Sequence, residues 1–224
     1  MAPLPPAVLA LARRLGAGES SHRTARFRQN GELRQLGAAR WLDFSARQWI
    51  AADSCAFSWR ARFGPLGIMQ VEDALIQQEP RGVMTLGGMV PLHRATPSPA
   101  LLKGQLMRYL AELPWAPDAL LANPHLHWRV LDDRRLHVEA TVAAVTGAIT
   151  LELDDDGLPR GISGLRPALE GSTFREREWH GAFSDYREVD GSSIPHTGRV
   201  WWIVDGQPFD VWRGEIIDWQ RSAD

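Results

Sequence analysis

From about residue 22 onward the apolar residues of this chain recur with a period of two. The alternating runs are punctuated by Asn30-Gly31, Asp156-Gly157, Asp190-Gly191 and Asp205-Gly206. A period of two places successive side chains on opposite faces of a strand. Asn-Gly and Asp-Gly tolerate positive φ at both central positions of a type I′ turn, the tightest link between antiparallel strands. A chain patterned this way folds into an antiparallel sheet, not a helical bundle or a parallel α/β layer. Asn30-Gly31 is expected to close a hairpin between 23–29 and 32–36, with a further strand near 40–44. Ser45 is expected to cap a brief helical turn through about Ala52. Strands follow at 56–63, 68–78 and 82–93, then at 125–131, 135–145, 148–154, 158–166, 173–189, 193–204 and 209–220.

Two stretches break the pattern. Residues 5–15 predict a short leading helix: Pro5 and Pro6 suit its start, Val8, Leu11, Ala12 and Leu15 share one face, and Gly16 suits its end. Residues 98–113 predict a central helix with Ser98 as N-cap; Leu102, Leu106, Tyr109 and Leu113 form its apolar face and Pro114 ends it. A further short helix is expected at 117–121.

The sum is a mainly β chain of about ten to twelve antiparallel strands, read as one continuous domain over 1–224. A sheet of that size must curl or split. If Asp190-Gly191 is a two-residue turn, Gly181 pairs with Val200 and Phe183 with Gly198, and the next strand brings Gly214 opposite Arg199. Glycines at neighbouring points let a sheet bend sharply. The expected architecture is therefore a strongly curved half-barrel with the 98–113 helix in or against its concave face.

Hydrophobic residues make up 44% of the chain, enough for a substantial core, so a disordered or fibrous chain is excluded. The longest purely apolar run, residues 7–12, is far short of the roughly 20 needed for a spanning helix. One cysteine, Cys55, excludes an intrachain disulfide framework and a multi-thiolate zinc site. The N-terminus has no basic segment ahead of an apolar core, so no secretory signal is read and a cytoplasmic location is expected. Charge is uneven: residues 1–40 hold seven Arg against two Glu, and residues 150–224 hold eight basic against fifteen acidic. The two ends would attract if the fold joined them. The leading arginines are too dispersed for a nucleic-acid arm, and no nucleic-acid partner is expected.

No motif names a reaction. There is no P-loop, no G-x-G-x-x-G, no G-x-S-x-G and no HExxH. His125 and His127 share a strand face, but the simplest register turns His137 to the other side, opposite Val130, so no metal site and no cofactor are expected. In the 190–191 hairpin Asp185 stands opposite His196, about 5 Å away, a conceivable acid/base dyad or a plain cross-strand pair. Arg108 and Glu112 are spaced i, i+4; exposed they matter little, but buried they would place an arginine able to grip an anion. Ten tryptophans are a heavy load. In the same register His180 faces Trp201, Trp179 faces Trp202, and Trp201 neighbours Trp212; such pairs either pack a core or line a pocket for an apolar ligand.

The segment from Lys103 through Leu121, and within it Arg108-Tyr-Leu-Ala-Glu112, Trp115, Pro117 and Ala119-Leu-Leu121, resembles an uncharacterised bacterial domain family, with Asp118 where a threonine is frequent. Asp185 to Gly191 and Ile194-Pro195 extend the likeness over nearly the whole chain. The final hairpin is similar to the outer-membrane lipoprotein carriers and their relatives. That resemblance implies a curved antiparallel sheet with helices in its concavity, holding acyl chains. The function expected is binding of an apolar or amphipathic, lipid-like small molecule. Its candidate residues are Arg108, Tyr109, Glu112 and Trp115 on the central segment and His180, Trp201 and Trp212 on the sheet. The alternatives are an interaction domain without a ligand, and an enzyme of unknown reaction using Asp185/His196 or Arg108/Glu112.

Overall fold

The structure, a computed structural model, describes residues 3–18, 24–64, 66–171 and 173–223. Helix α1 (Pro6–Arg14) leads into strands β1 (Thr24–Leu33), β2 (Leu42–Ala51), β3 (Phe57–Phe63), β4 (Met69–Ile76), β5 (Glu79–Leu86) and β6 (Val90–Arg94). Helix α2 (Pro99–Ala111), a 3₁₀ turn (Leu113–Trp115) and α3 (Ala119–Ala122) follow. The chain then returns to strands: β7 (His127–Asp132), β8 (Arg135–Val142), β9 (Val145–Leu153), β10 (Pro159–Glu170), β11 (Thr173–Val189), β12 (Ser192–Val204) and β13 (Gln207–Ser222).

Among the described residues all 13 strands form one antiparallel sheet in the order β6-β5-β4-β3-β2-β1-β13-β12-β11-β10-β9-β8-β7. Two meanders thus meet at the middle, where β1 pairs with β13. Arg28 bonds Asp218 there, so the basic beginning and acidic end of the chain are adjacent strands. The edges, β6 and β7, are consecutive in sequence, so the helical segment between them must pass from one rim of the sheet to the other. It does so inside the curl: α2 touches β4 and β5 on one wing and β8, β9 and β10 on the other. Its buried residues, among them Leu102, Gln105, Leu106, Met107, Tyr109 and Leu110, run around most of its circumference, as befits a helix enclosed by sheet. Ser98 Oγ accepts the Leu101 amide at 3.2 Å and caps it. No helix among the described residues is long and apolar enough to cross a membrane.

The bend is built from a row of three glycines. Gly31, Gly214 and Gly198 stand opposite one another across β1, β13 and β12, flanked by Phe44 and Phe183. A Cβ on Gly31 would lie 2.1 Å from the Arg213 carbonyl oxygen, and one on Gly198 would lie 3.0–3.2 Å from the rings of Trp212 and Trp115. The missing side chains let the strands close in and the indoles sit on the backbone.

Several expectations are corrected here. Asn30-Gly31 is no turn: β1 runs through it, because Gly31 is needed for close approach between strands on both sides. Ser45 through Ala51 is strand, and Ala52 lies just past its end; Gln48 points inward in that alternation and is held by the polar partners Gln29 and Glu112. The single strand expected at 82–93 is broken by a turn at Gly87-Gly88, with φ of 61° and 75°. The three Asp-Gly pairs do mark connections, and Asp190-Gly191 and Asp205-Gly206 take positive φ at both positions. Gly181 and Phe183 pair as expected, but Gly214 faces Gly198 instead of Arg199. Trp201 faces Asp210 in the register set by the Asp205-Gly206 turn, and Trp212 faces Val200 because a bulge between Val200 and Trp201 shifts the register. A second shift, between Val130 and Asp132, sets His137 opposite Arg129 instead of Val130, on the same face as His127.

Candidate site: a tryptophan-lined cavity between helix and sheet

Between α2, the 3₁₀ turn and the concave face lies a cavity of about 270 Å³. Its walls are largely aromatic: Trp59 on β3, Trp115 on the 3₁₀ turn, Trp179 and Phe183 on β11, Trp202 on β12 and Trp212 on β13. Trp115 is the hub. It meets Phe183 edge-on at 5.3 Å and Trp212 at 6.3 Å, and its indole N–H donates to the Pro195 carbonyl at 2.7 Å. The Trp115 carbonyl in turn accepts from the Trp219 indole at 2.8 Å. The wall is therefore rigid as well as apolar.

One side of the cavity is ionic. Arg108 Nε donates to Glu112 Oε1 at 2.9 Å and its Nη1 to Asp73 Oδ2 at 3.0 Å. Only 16% of the Arg108 side chain and 11% of that of Glu112 are exposed, so this is a sheltered network, not a solvated pair. Glu112 also accepts from Gln48, which accepts from Gln29 at 2.8 Å. Burial pushes the Glu112 carboxyl above its ordinary range, and Arg108 and Gln48 offset that only in part. Arg166 on β10 faces the same space. Its Nε donates to the Gly104 carbonyl at 3.1 Å, and its guanidinium lies 4.6 Å from the Trp179 ring centre. Arg166 makes no ion pair among the described residues. Burial, with the like charge of Arg108, lowers it to about 10 against the weaker opposing pull of Asp73 and Glu112, so it remains cationic at neutral pH. Of the arginines lining the cavity, Arg108 and Arg199 are engaged by carboxylates, while Arg166 and Arg34 make no ion pair among the described residues.

Of the residues singled out from sequence, Arg108, Glu112, Trp115 and Trp212 line this cavity. Tyr109 does not: it is fully buried in the core, donating to the Ala51 carbonyl at 3.0 Å and accepting from Asn123 at 2.8 Å. His180 and Trp201 stack on each other at 5.4 Å, on the sheet face opposite to Trp179 and Trp202. The cavity thus takes the neighbouring pair instead. Asp185 and His196 do not form a dyad. Asp185 sits at a φ of 56° with its carboxylate on Arg187, and His196 is buried with Nδ1 3.0 Å from the Ile194 carbonyl. Sequence reasoning missed Arg166, Asp73 and Trp59 as cavity residues. Each sits in an alternating strand, and only the strand's face tells it apart from a solvent residue. Among the described residues no three His, Cys, Asp or Glu side chains gather as metal ligands. Burial pushes the Cys55 thiol up to about 11, so it carries no nucleophilic thiolate at neutral pH.

Solved structures share this architecture. A LolA superfamily protein from Nitrosomonas europaea superposes with a TM-score of 0.53 at 10% identity, over 98% of this chain and 94% of that one. A domain described as an outer membrane lipoprotein-sorting protein, from Vibrio parahaemolyticus, gives 0.54 at 10% identity over 96% and 90%. A DUF1329 family protein from Desulfovibrio piger gives 0.53 at 11% identity over 96% and 92%. At such identities the likeness is one of fold. No curated protein matches the sequence. The family model for DUF6544, a family of unknown function, matches residues 1–214, and the chain belongs to that family.

Proposed function

We propose that the protein binds an amphipathic, lipid-like molecule with an acidic head, its apolar part among the cavity tryptophans and its head on Arg166. The observation that carries this reading is the pairing of an apolar aromatic cavity with a guanidinium, Arg166, that makes no ion pair among the described residues. Small-molecule pockets are typically apolar with a few placed polar groups, and an arginine in a sheltered site holds a carboxylate or phosphate in bidentate fashion. The volume of about 270 Å³ suits a short chain or part of a longer one. The description of one fold neighbour as an outer membrane lipoprotein-sorting protein domain agrees with this chemistry.

Native mass spectrometry after gentle purification tests it: a co-purifying lipid-like mass is expected. Titration with a medium-chain fatty acid should quench tryptophan emission, and the matching methyl ester should bind more weakly. Arg166→Gln should weaken the acid by roughly 10–100-fold, the range for a lost charge-assisted hydrogen bond, and leave the ester unchanged. A protein that stays empty, with emission indifferent to the acid, overturns the proposal.

A further inference from the structure

The wing β1–β6 carries two surface features that the cavity does not explain, and they touch. The first is a cationic row on the face turned away from the helices. Arg28, Arg47 and Arg60 stand directly opposite one another on three adjacent strands, and Arg62 lies two residues further along β3 on the same face. Arg28 is paired with Asp218 and Arg60 with Glu72. The side chains of Arg47 and Arg62 make no ion pair or hydrogen bond among the described residues, so the row keeps excess positive charge. Adjacent like charges across strands are unfavourable for the sheet itself, and their presence points outward to an anionic partner.

The second feature is an apolar corner. The β3–β4 loop and the β5–β6 turn lie side by side, because Phe63 pairs with Met69, Met69 with Leu86, and Leu86 with Val90. From this corner project Leu66 and Met89, 80% and 85% exposed, with Ile68, Leu86 and Val90 beside them. The two features are continuous. A Cβ on Gly67 would touch the Arg62 side chain at 3.4 Å, and a groove of about 670 Å³ runs from Arg28 past Arg47, Arg60 and Arg62 to Gly88.

We infer that this corner docks the protein on an anionic lipid bilayer, with Leu66 and Met89 entering the acyl boundary and the arginine row meeting acidic headgroups. Apolar tips flanked by arginines suit the interface, where one layer is greasy and the next negatively charged. A nucleic acid would use the arginines but give the apolar corner no role. A second copy of the chain would use the corner but set one arginine row near another. This inference does not depend on the cavity's ligand.

The test is co-sedimentation of the full chain with vesicles of phosphatidylcholine alone and with about 30% phosphatidylglycerol. Binding is expected only to the mixed vesicles and should fall steeply with added salt. Arg47→Gln and Arg62→Gln should each weaken it roughly fivefold, the loss of one surface cation. Leu66→Ser with Met89→Ser should weaken it tenfold or more, with the melting curve unchanged because both residues are exposed. Equal binding to neutral vesicles, no binding to either, or variants that bind like the parent would overturn the inference. So would sedimentation analysis showing a dimer abolished by Met89→Ser in a protein indifferent to vesicles, or arginine-dependent binding of an oligonucleotide without vesicle binding.

Discussion

The two wings of the sheet are built from the same kind of meander and have different surfaces. On β8 and β9, Leu136, Val138, Ala140, Ile149, Leu151 and Leu153 are buried in strict alternation. On β4 and β5 the pattern dissolves into half-buried positions, and every residue of β6 is exposed, although Val90 and Leu92 share one face of it. The difference is cover. Helix α2 lies closest to β9 and β10: a Cβ on Gly147 or Gly164 would strike Leu106 or Met107 at about 3 Å. It reaches the other wing through polar groups as well, Arg108 to Asp73 and Gln105 to the Arg81 carbonyl. A strand's period of two says which residues share a face. It does not say whether anything lies on that face.

The largest effect is expected at the hinge between the wings. Gly31→Val replaces the glycine with a residue of high strand propensity, yet its Cβ would collide with the backbone of β13. Loss well above about 3 kcal/mol, or failure to fold, is expected; a thermal melt unchanged from the parent would refute the close-approach argument. Next comes a direct contrast. Leu106→Ala, under the covered wing, should cost about 2–5 kcal/mol, a fall in Tm of roughly 2–4 °C for each kcal/mol. Met89→Ser, on the open wing, should stay within about 0.5 kcal/mol. Similar losses in the two would erase the distinction.

Smaller effects sharpen it. Two tight turns lack glycine at positive φ: Ala143-Ala144 on the covered wing, at 45° and 63°, and Gln77-Gln78 on the open one, at 52° and 67°. Converting either to Asn-Gly should stabilise by about 1 kcal/mol. Hydrogen exchange should show the gain shared by the whole sheet at 143–144 and confined to β4–β6 at 77–78, if the open wing unfolds on its own.

The smallest expected change concerns Glu112, which ties the helical segment to the β1–β6 wing through Gln48 and, by way of Arg108, Asp73. Burial raises its proton affinity in the folded state above that in the unfolded chain. Its protonation therefore stabilises the fold at low pH, and that contribution is lost as pH rises through the folded-state value. Acidification should raise the Tm of the parent relative to Glu112→Gln; a difference independent of pH would refute the burial argument.

Much of this architecture was legible in the residues. The leading helix, the capped central helix and the Asp-Gly turns follow from backbone chemistry that operates within a few residues, and so does the pairing of His180 with Trp201 and Trp179 with Trp202. The same local rules misread Asn30-Gly31, since a glycine demanded by a neighbouring strand looks like one demanded by a turn. They also missed the turns at 77–78 and 143–144, where ordinary side chains are held at positive φ by the hairpins around them.

The candidate site was legible only in part. Arg108, Glu112 and Trp115 stood out because they sit together on one short segment, and Trp212 because it lies in a tryptophan-rich hairpin. Arg166, Asp73 and Trp59 come from strands far apart in sequence and meet at the cavity only through the curl of the sheet. Strand period, turn chemistry and helix caps are short-range, and the sequence by itself determined them. Which of two alternating faces looks inward, whether a bulge shifts the register, and which arginine keeps its charge unpartnered depend on long-range packing, and only the tertiary structure decided them.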